Sequence, residues 1–171
     1  MGDRLPWSPP LYGTRLDRMI QFILLLVGGA LLVAAPIMIV QGVAGRRTVS
    51  RELTEQHITF PAGDGLPAAL SRYAGRTVHT GAEARAYSDL IAGHVAAATG
   101  GRTYAEIAEE WQAGARTDER LRRLRETAFM GQSLRGTLLG AYQAWQITVL
   151  VMGLGTLCAA MGVAFVALAL R

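Results

Sequence analysis

Apolar positions fall into two nearly unbroken blocks, one towards each end, around a patterned middle. From Met19 to Ala44 the only polar side chains are Gln21 and Gln41. At a rise of about 1.5 Å per residue this block can cross a hydrocarbon core of about 30 Å with some tilt. Pro36 lies inside it and predicts a kink of the kind membrane helices tolerate. Arg15, Arg18 and the small residues Val43-Ala44-Gly45 would also suit a signal peptide. The apolar stretch exceeds the roughly 7–15 residues of a signal core, so a retained span is expected. The second block, Ile147–Leu170, carries no charge, and Thr148 and Thr156 can bond back to their own helix. Tyr142 and Trp145 precede it, where aromatic rings favour a membrane interface. No domain is expected beyond this span, whose far end is Arg171.

Between the blocks the period changes. His57-Ile58-Thr59-Phe60, stopped by Pro61, and Arg76-Thr77-Val78-His79-Thr80 predict two short extended segments, with a Gly63-Asp64-Gly65 loop between them. Two such strands are marginal alone and are expected to pair on a helical base. Thr80 followed by Glu83 fits a capping box, and Tyr87, Leu90, Ile91, His94 and Val95 follow at helical spacing up to Gly100-Gly101. His94 is expected as a core or helix-contact histidine. Thr103 and Glu106 form a second box, ahead of an apolar stripe of Tyr104, Ile107, Ala108 and Trp111. A third helix opening at Thr117 or Asp118 meets no proline and could run unbroken into the second span. The expected fold is therefore a mainly α membrane protein: two transmembrane helices flank a mostly helical extramembrane domain with a short two-stranded β element. Its expected layout is a tail over 1–18, a first span over 19–44, a domain over 46–140 and a second span over 145–170.

Charge changes this picture little. All 17 basic side chains are Arg, and neither Lys nor Asn occurs, which points first to a GC-rich genome. The net charge is +4, and Arg alternates with Glu, as in Asp118 to Glu126, which is the pattern of a solvated helix face. A nucleic-acid binder would instead show a basic stripe interleaved with aromatics, so no nucleic-acid partner is expected. Arg4, Arg15, Arg18 and Arg171 would stand on one side of the two spans, and Arg46, Arg47, Arg51 and Arg135 on the other. The positive-inside rule therefore does not decide the orientation. The single cysteine, Cys158, lies inside the second block and reads as a packing residue.

Small residues recur every four positions at Gly136, Gly140 and Ala144, and again at Gly155 and Ala159, with Gly162 near the same face. Such rows let backbones approach closely in lipid and make these residues candidates for helix packing, against the first span or another protein. The three histidines, His57, His79 and His94, lack the spacing of a metal-binding helix. His57 and His79 could converge if their strands pair, with Glu55 nearby, so Glu55, His57 and His79 are the candidate ligand contacts. Gly100-Gly101-Arg102-Thr103 lacks the phosphate-loop spacing, and there is no nucleophile-elbow motif. No catalytic residue, cofactor or metal site is expected.

The run Glu52-Leu53-Thr54-Glu55-Gln56-His57-Ile58, then Ala74-Gly75-Arg76-Thr77-Val78, Ala86-Tyr87-Ser88-Asp89-Leu90-Ile91 and Ala98-Thr99-Gly100-Gly101-Arg102-Thr103-Tyr104-Ala105-Glu106 resembles a family of small actinobacterial two-span membrane proteins. The likeness covers roughly residues 20 to 170. Some members carry the label aromatic ring-opening dioxygenase. An extradiol enzyme of that kind needs ferrous iron on two His and a carboxylate, an arrangement this sequence does not spell out. The resemblance implies a two-pass plasma-membrane protein with an extracytoplasmic loop domain and cytoplasmic termini. Its expected partners are the lipid bilayer and other integral membrane subunits. The leading functional expectation is a non-catalytic accessory or scaffold subunit of a plasma-membrane complex, for example an energy-transducing or oxidoreductase one. The alternative is an envelope-facing module binding a small ligand or cell-envelope component, and a metal-dependent enzyme ranks third.

Overall fold

The computed structural model describes residues 12–63, 65–114 and 116–171; the expected tail lies outside it as far as residue 11, as does Asp64 of the predicted loop. The described elements are α1 (Tyr12–Glu55), a 3-10 turn (Ala68–Tyr73), α2 (Gly81–Thr99), α3 (Tyr104–Ala113) and α4 (Glu119–Ala169). α1 runs for 44 residues and passes through Pro36 without a break. It continues beyond Ala44, where the apolar block ends, as far as Glu55. α4 runs for 51 residues, joining the predicted third helix to the second apolar block in one element. Two compact units result: residues up to Gly42 with Leu150–Arg171, and Val43–Val149.

In the first unit α1 and α4 are antiparallel, because Gly28 meets Gly162 and Val166 while Gly155 meets Ala35, Met38 and Ile39. The approach is backbone to backbone. A methyl group added at Gly162 would lie 2.8 Å from Leu32 Cγ and 2.9 Å from the Gly28 carbonyl oxygen. Glycine is required there because only a missing side chain lets the two helices come this close. The opposite faces leave Phe22, Leu26, Val33, Val40, Leu150 and Val163 exposed. Both helices are long and apolar enough to cross a membrane.

The second unit has an aromatic core. Phe60 stacks on Tyr73 with ring centroids 5.1 Å apart and meets Tyr87 edge-on at 5.1 Å. Leu53, Val78, Ala84, Leu90 and Leu138 complete the buried cluster. Both predicted capping boxes are formed, at Thr80–Glu83 and Thr103–Glu106. Gly81 opens α2 directly against Trp145, where an added methyl would lie 2.6 Å from Cβ of that tryptophan. α3 lies along α4, with Tyr104 beside Phe129 and the Arg125 guanidinium 3.9 Å over the Trp111 ring.

The predicted strand pair is replaced by an isolated antiparallel bridge, Thr59 with Thr77, and no strand occurs among the described residues. The flanking bonds are present: Phe60 N–H donates to Arg76 O at 2.9 Å and Val78 N–H to Ile58 O at 2.8 Å. The ladder stops there because the next donors in this alternating register are engaged elsewhere. Gln56 N–H donates back to Leu53 O at 3.3 Å and Thr80 N–H to the Glu83 carboxylate at 3.0 Å, while Arg76 N–H donates to Tyr73 O at 2.9 Å and Ala74 N–H to Ser71 O at 3.1 Å.

Candidate functional site

The main concavity lies wholly within Val43–Val149. It is a groove of about 900 Å³ between the end of α1, the bridge, α2 and the middle of α4. Helical spacing on α1 gives it two adjoining rows, since residues four apart share a face. Val49 and Leu53 form an apolar row continuous with the core. Thr48, Glu52 and Gln56 form a polar row beside it, extended by His57. Tyr87 and Ile91 of α2 and Leu138 and Ala141 of α4 supply further apolar wall. Gly140 is exposed on the α4 side with open space around its Cα, so the groove is accessible there.

α1 ends at the groove. Gln56 N–H donates to Leu53 O at 3.3 Å, and His57 takes a left-handed conformation with φ of 51°. This is the usual helix-ending geometry, but glycine or asparagine normally supplies it. An L residue with a side chain is strained there by about 1 kcal/mol or more. The turn leaves the exposed His57 as a groove-lining residue.

The three predicted ligand contacts are therefore separated. The register that pairs Thr59 with Thr77 would set His57 opposite His79, but the pairing ends at Ile58 and Val78. His79 turns to Glu83: its Nδ1 lies 3.2 Å from Oε2 of Glu83 and 3.0 Å from Thr77 O. Glu55 is exposed and faces Arg51 at 4.0 Å, one helical turn away, outside the groove lining. Among the described residues no three His, Cys, Asp or Glu side chains converge as a metal site would require. His94 also departs from expectation. It is exposed, beside a shallow second groove with Val95, Glu126, Met130 and Gly131, because α2 runs on past the core formed by Ala84, Ala86 and Leu90.

The predicted helix-packing residues divide as well. Gly155 is buried in the contact with α1 and Ala159 is half-buried. Gly136 and Gly140 meet nothing, and Gly140 and Ala144 line the large groove instead. Tyr142 and Trp145, the predicted interfacial aromatics, carry guanidinium groups on their rings: Arg46 lies 4.3 Å from Trp145 and Arg85 lies 5.5 Å from Tyr142.

Glu83 is the most heavily engaged carboxylate of this unit, only 2 % exposed. Oε2 accepts from His79 N–H, Thr80 N–H and the Thr80 hydroxyl at 2.9–3.0 Å, while Oε1 lies 3.1 Å from the Arg76 guanidinium. Burial pushes its pKa up, but the bonds from His79 and Thr80 and the charge of His79 outweigh burial and lower it below the ordinary value. Glu83 thus holds the bridge segment onto α2 and helps fix one wall of the groove.

Sequence reasoning missed Glu52, Gln56, Thr137, Leu138 and Ala141 as groove residues. The Thr48–Glu52–Gln56 row beside Val49–Leu53 was a usable signal once α1 was known to continue past Ala44. No family model matches the chain, and neither a curated protein nor a solved structure matches it.

Proposed function

We propose that this is a two-pass plasma-membrane protein whose Val43–Val149 domain faces the cell envelope and binds a small, largely apolar ligand without catalysis. The observation that carries this reading is the groove of about 900 Å³, mostly apolar in lining, with a polar row along the end of α1. Its size falls at the upper end of the roughly 300–1,000 Å³ of small-molecule sites, which typically combine apolar walls with a few placed polar groups. The strained His57 on that edge adds support, since strain retained at an accessible cleft is a pointer to function.

The test uses the full chain, purified in an uncharged detergent and examined by native mass spectrometry for bound small molecules. Gly140→Leu places a side chain into the groove from an uncrowded helix position, and Gly136→Leu, four residues earlier and also uncrowded, is the control. Both replacements favour the helix by about 0.5–1 kcal/mol, so loss of folding does not confuse the outcome. Ligand retained by wild type and Gly136→Leu but lost from Gly140→Leu supports the reading. Equal retention by all three places any bound molecule elsewhere and ends it.

A second reading, an accessory subunit of a larger membrane complex, is favoured by a different observation. Tyr104, Phe129, Met130 and Leu134 are all exposed along α3 and α4, outside both apolar blocks. Such a patch suits the apolar helix of another integral membrane subunit. Mild solubilisation should then recover a stoichiometric partner that Phe129→Ser with Met130→Ser releases; recovery of the protein alone would count against this role.

A further inference from the structure

Resting on the binding reading above, we propose that the groove selects an amphiphile by head-group charge: one apolar chain joined to a hydrogen-bonding head that carries no negative charge, such as a hydroxyl-bearing lipid. The chain contains 17 basic side chains, all Arg, yet among the described residues none lines the groove. Among those lining residues the one carboxylate is Glu52, in the middle of the polar row. Among the described residues Glu52 forms no ion pair; the nearby pair on α1 joins Arg51 to Glu55 instead. Of the other polar groups, Thr48, Gln56, Thr59 and Thr137 donate or accept neutral hydrogen bonds, and His57 adds an imidazole. Thr48 is already committed to the Ala44 carbonyl at 3.2 Å, and Thr137 to that of Leu134 at 2.8 Å. That leaves Glu52, Gln56 and His57 at the helix end, with Thr59 of the bridge beside them, as the head-group contacts.

The separation of the two surfaces supports an amphiphile over a wholly polar ligand. Val49, Leu53, Ile91, Leu138 and Ala141 offer a chain nothing but carbon, while four of the polar groups, Thr48, Glu52, Gln56 and His57, follow one another along the end of α1. A phosphate or carboxylate head would meet Glu52 with no lining Arg to offset it. Like charges a few ångströms apart near a protein surface repel, which sets the expected discrimination at about tenfold or more.

The experiment titrates the full-length protein in an uncharged detergent with three probes sharing a dodecyl chain: glycerol monolaurate, dodecyltrimethylammonium and dodecyl phosphate. Binding is read by native mass spectrometry. The expected result is that the neutral and cationic probes bind at least about tenfold more tightly than the phosphate. Gly140→Leu should abolish binding of all three, and Glu52→Gln should narrow the gap to within about threefold. Equal or tighter binding of dodecyl phosphate, still lost in Gly140→Leu, overturns the charge selection while leaving the groove as the site. Binding that Gly140→Leu does not change, or no binding of any probe, overturns both. A gap that persists unchanged in Glu52→Gln removes Glu52 as its cause and overturns the proposal as stated.

Discussion

In the hairpin formed by residues up to Gly42 and Leu150–Arg171, glycine backbones make the close approaches: Gly162 faces Leu32 and the Gly28 carbonyl, and Gly155 faces Ile39 and the Ala35 carbonyl. In Val43–Val149 side chains make them, with Phe60, Tyr73 and Tyr87 ring against ring and Glu83 collecting five polar groups. The hairpin leaves apolar residues on its outside and buries few. The domain buries aromatics and surrounds them with charge. The contrast is the one expected of a hairpin that crosses a membrane, which both helices are long and apolar enough to do. Lipid is as apolar as leucine, so transferring leucine from lipid to a helix contact gains little, and close packing through small residues must hold the helices together. Water makes apolar burial favourable, so a small domain can use a compact aromatic cluster and tie its irregular segments with hydrogen bonds.

The largest expected effect falls on the polar side of that contrast. Glu83→Ala leaves the His79 and Thr80 N–H groups and Arg76 without their acceptor, and should destabilise the domain by about 3 kcal/mol, read from chemical unfolding followed by tyrosine and tryptophan fluorescence. Glu83→Gln keeps one acceptor oxygen and should cost about half as much. The carboxyl also predicts acid lability. Its folded pKa lies below the ordinary 4.5, so its contribution is complete above the unfolded value and is lost as pH falls through the lower folded value. Wild type should lose stability as pH falls below about 4.5, and Glu83→Gln should lose less over that range. A flat wild-type profile there would mean that the rings alone hold the domain.

The hairpin should respond to volume and not to pH. Gly162→Leu drives a side chain into Leu32 and the Gly28 carbonyl, and overpacking of this kind costs about 1–3 kcal/mol. The same change at Gly153, where an added methyl meets nothing, should be neutral or slightly favourable. The measurement is the unfolding midpoint of the full chain in detergent for Gly162→Leu and Gly155→Leu against Gly153→Leu. If the first two leave the midpoint unchanged, close backbone packing is not what holds the helices.

Legibility in the sequence followed the same division. Capping boxes at Thr80 and Thr103 are local, with three-residue spacing and residue types that name their own partners, so the helices they open could be read directly. Both apolar blocks were legible for the same reason. α1 extends to Glu55 because nothing between Arg46 and Glu55 stops a helix, and the change from lipid-type to water-type composition looked like a boundary where the backbone has none. The strand pair stops at one bridge because local partners draw off the donors that would extend it: Gln56 N–H turns to Leu53 O and Thr80 N–H to Glu83. The groove was the least legible feature. It exists only where α1, α2 and α4 meet, and of its polar edge the sequence singled out only His57.

His57 offers the smallest effect and the one that ties strain to binding. Its left-handed backbone suits glycine, so His57→Gly should relieve about 1 kcal/mol or more of strain. Glycine also makes the unfolded chain more flexible, which takes back about 0.4–1 kcal/mol, so a net gain of about 0.5 kcal/mol is expected. For a domain of this size that corresponds to about 2–4 °C in unfolding midpoint. The same substitution removes one polar contact from the groove edge and should weaken glycerol monolaurate binding by about threefold to tenfold, the worth of one net hydrogen bond. Opposite signs for stability and affinity would mean that the histidine is kept against the preference of the fold, for the sake of what it touches. A loss of both would make His57 a structural residue whose backbone is held by contacts stronger than its strain.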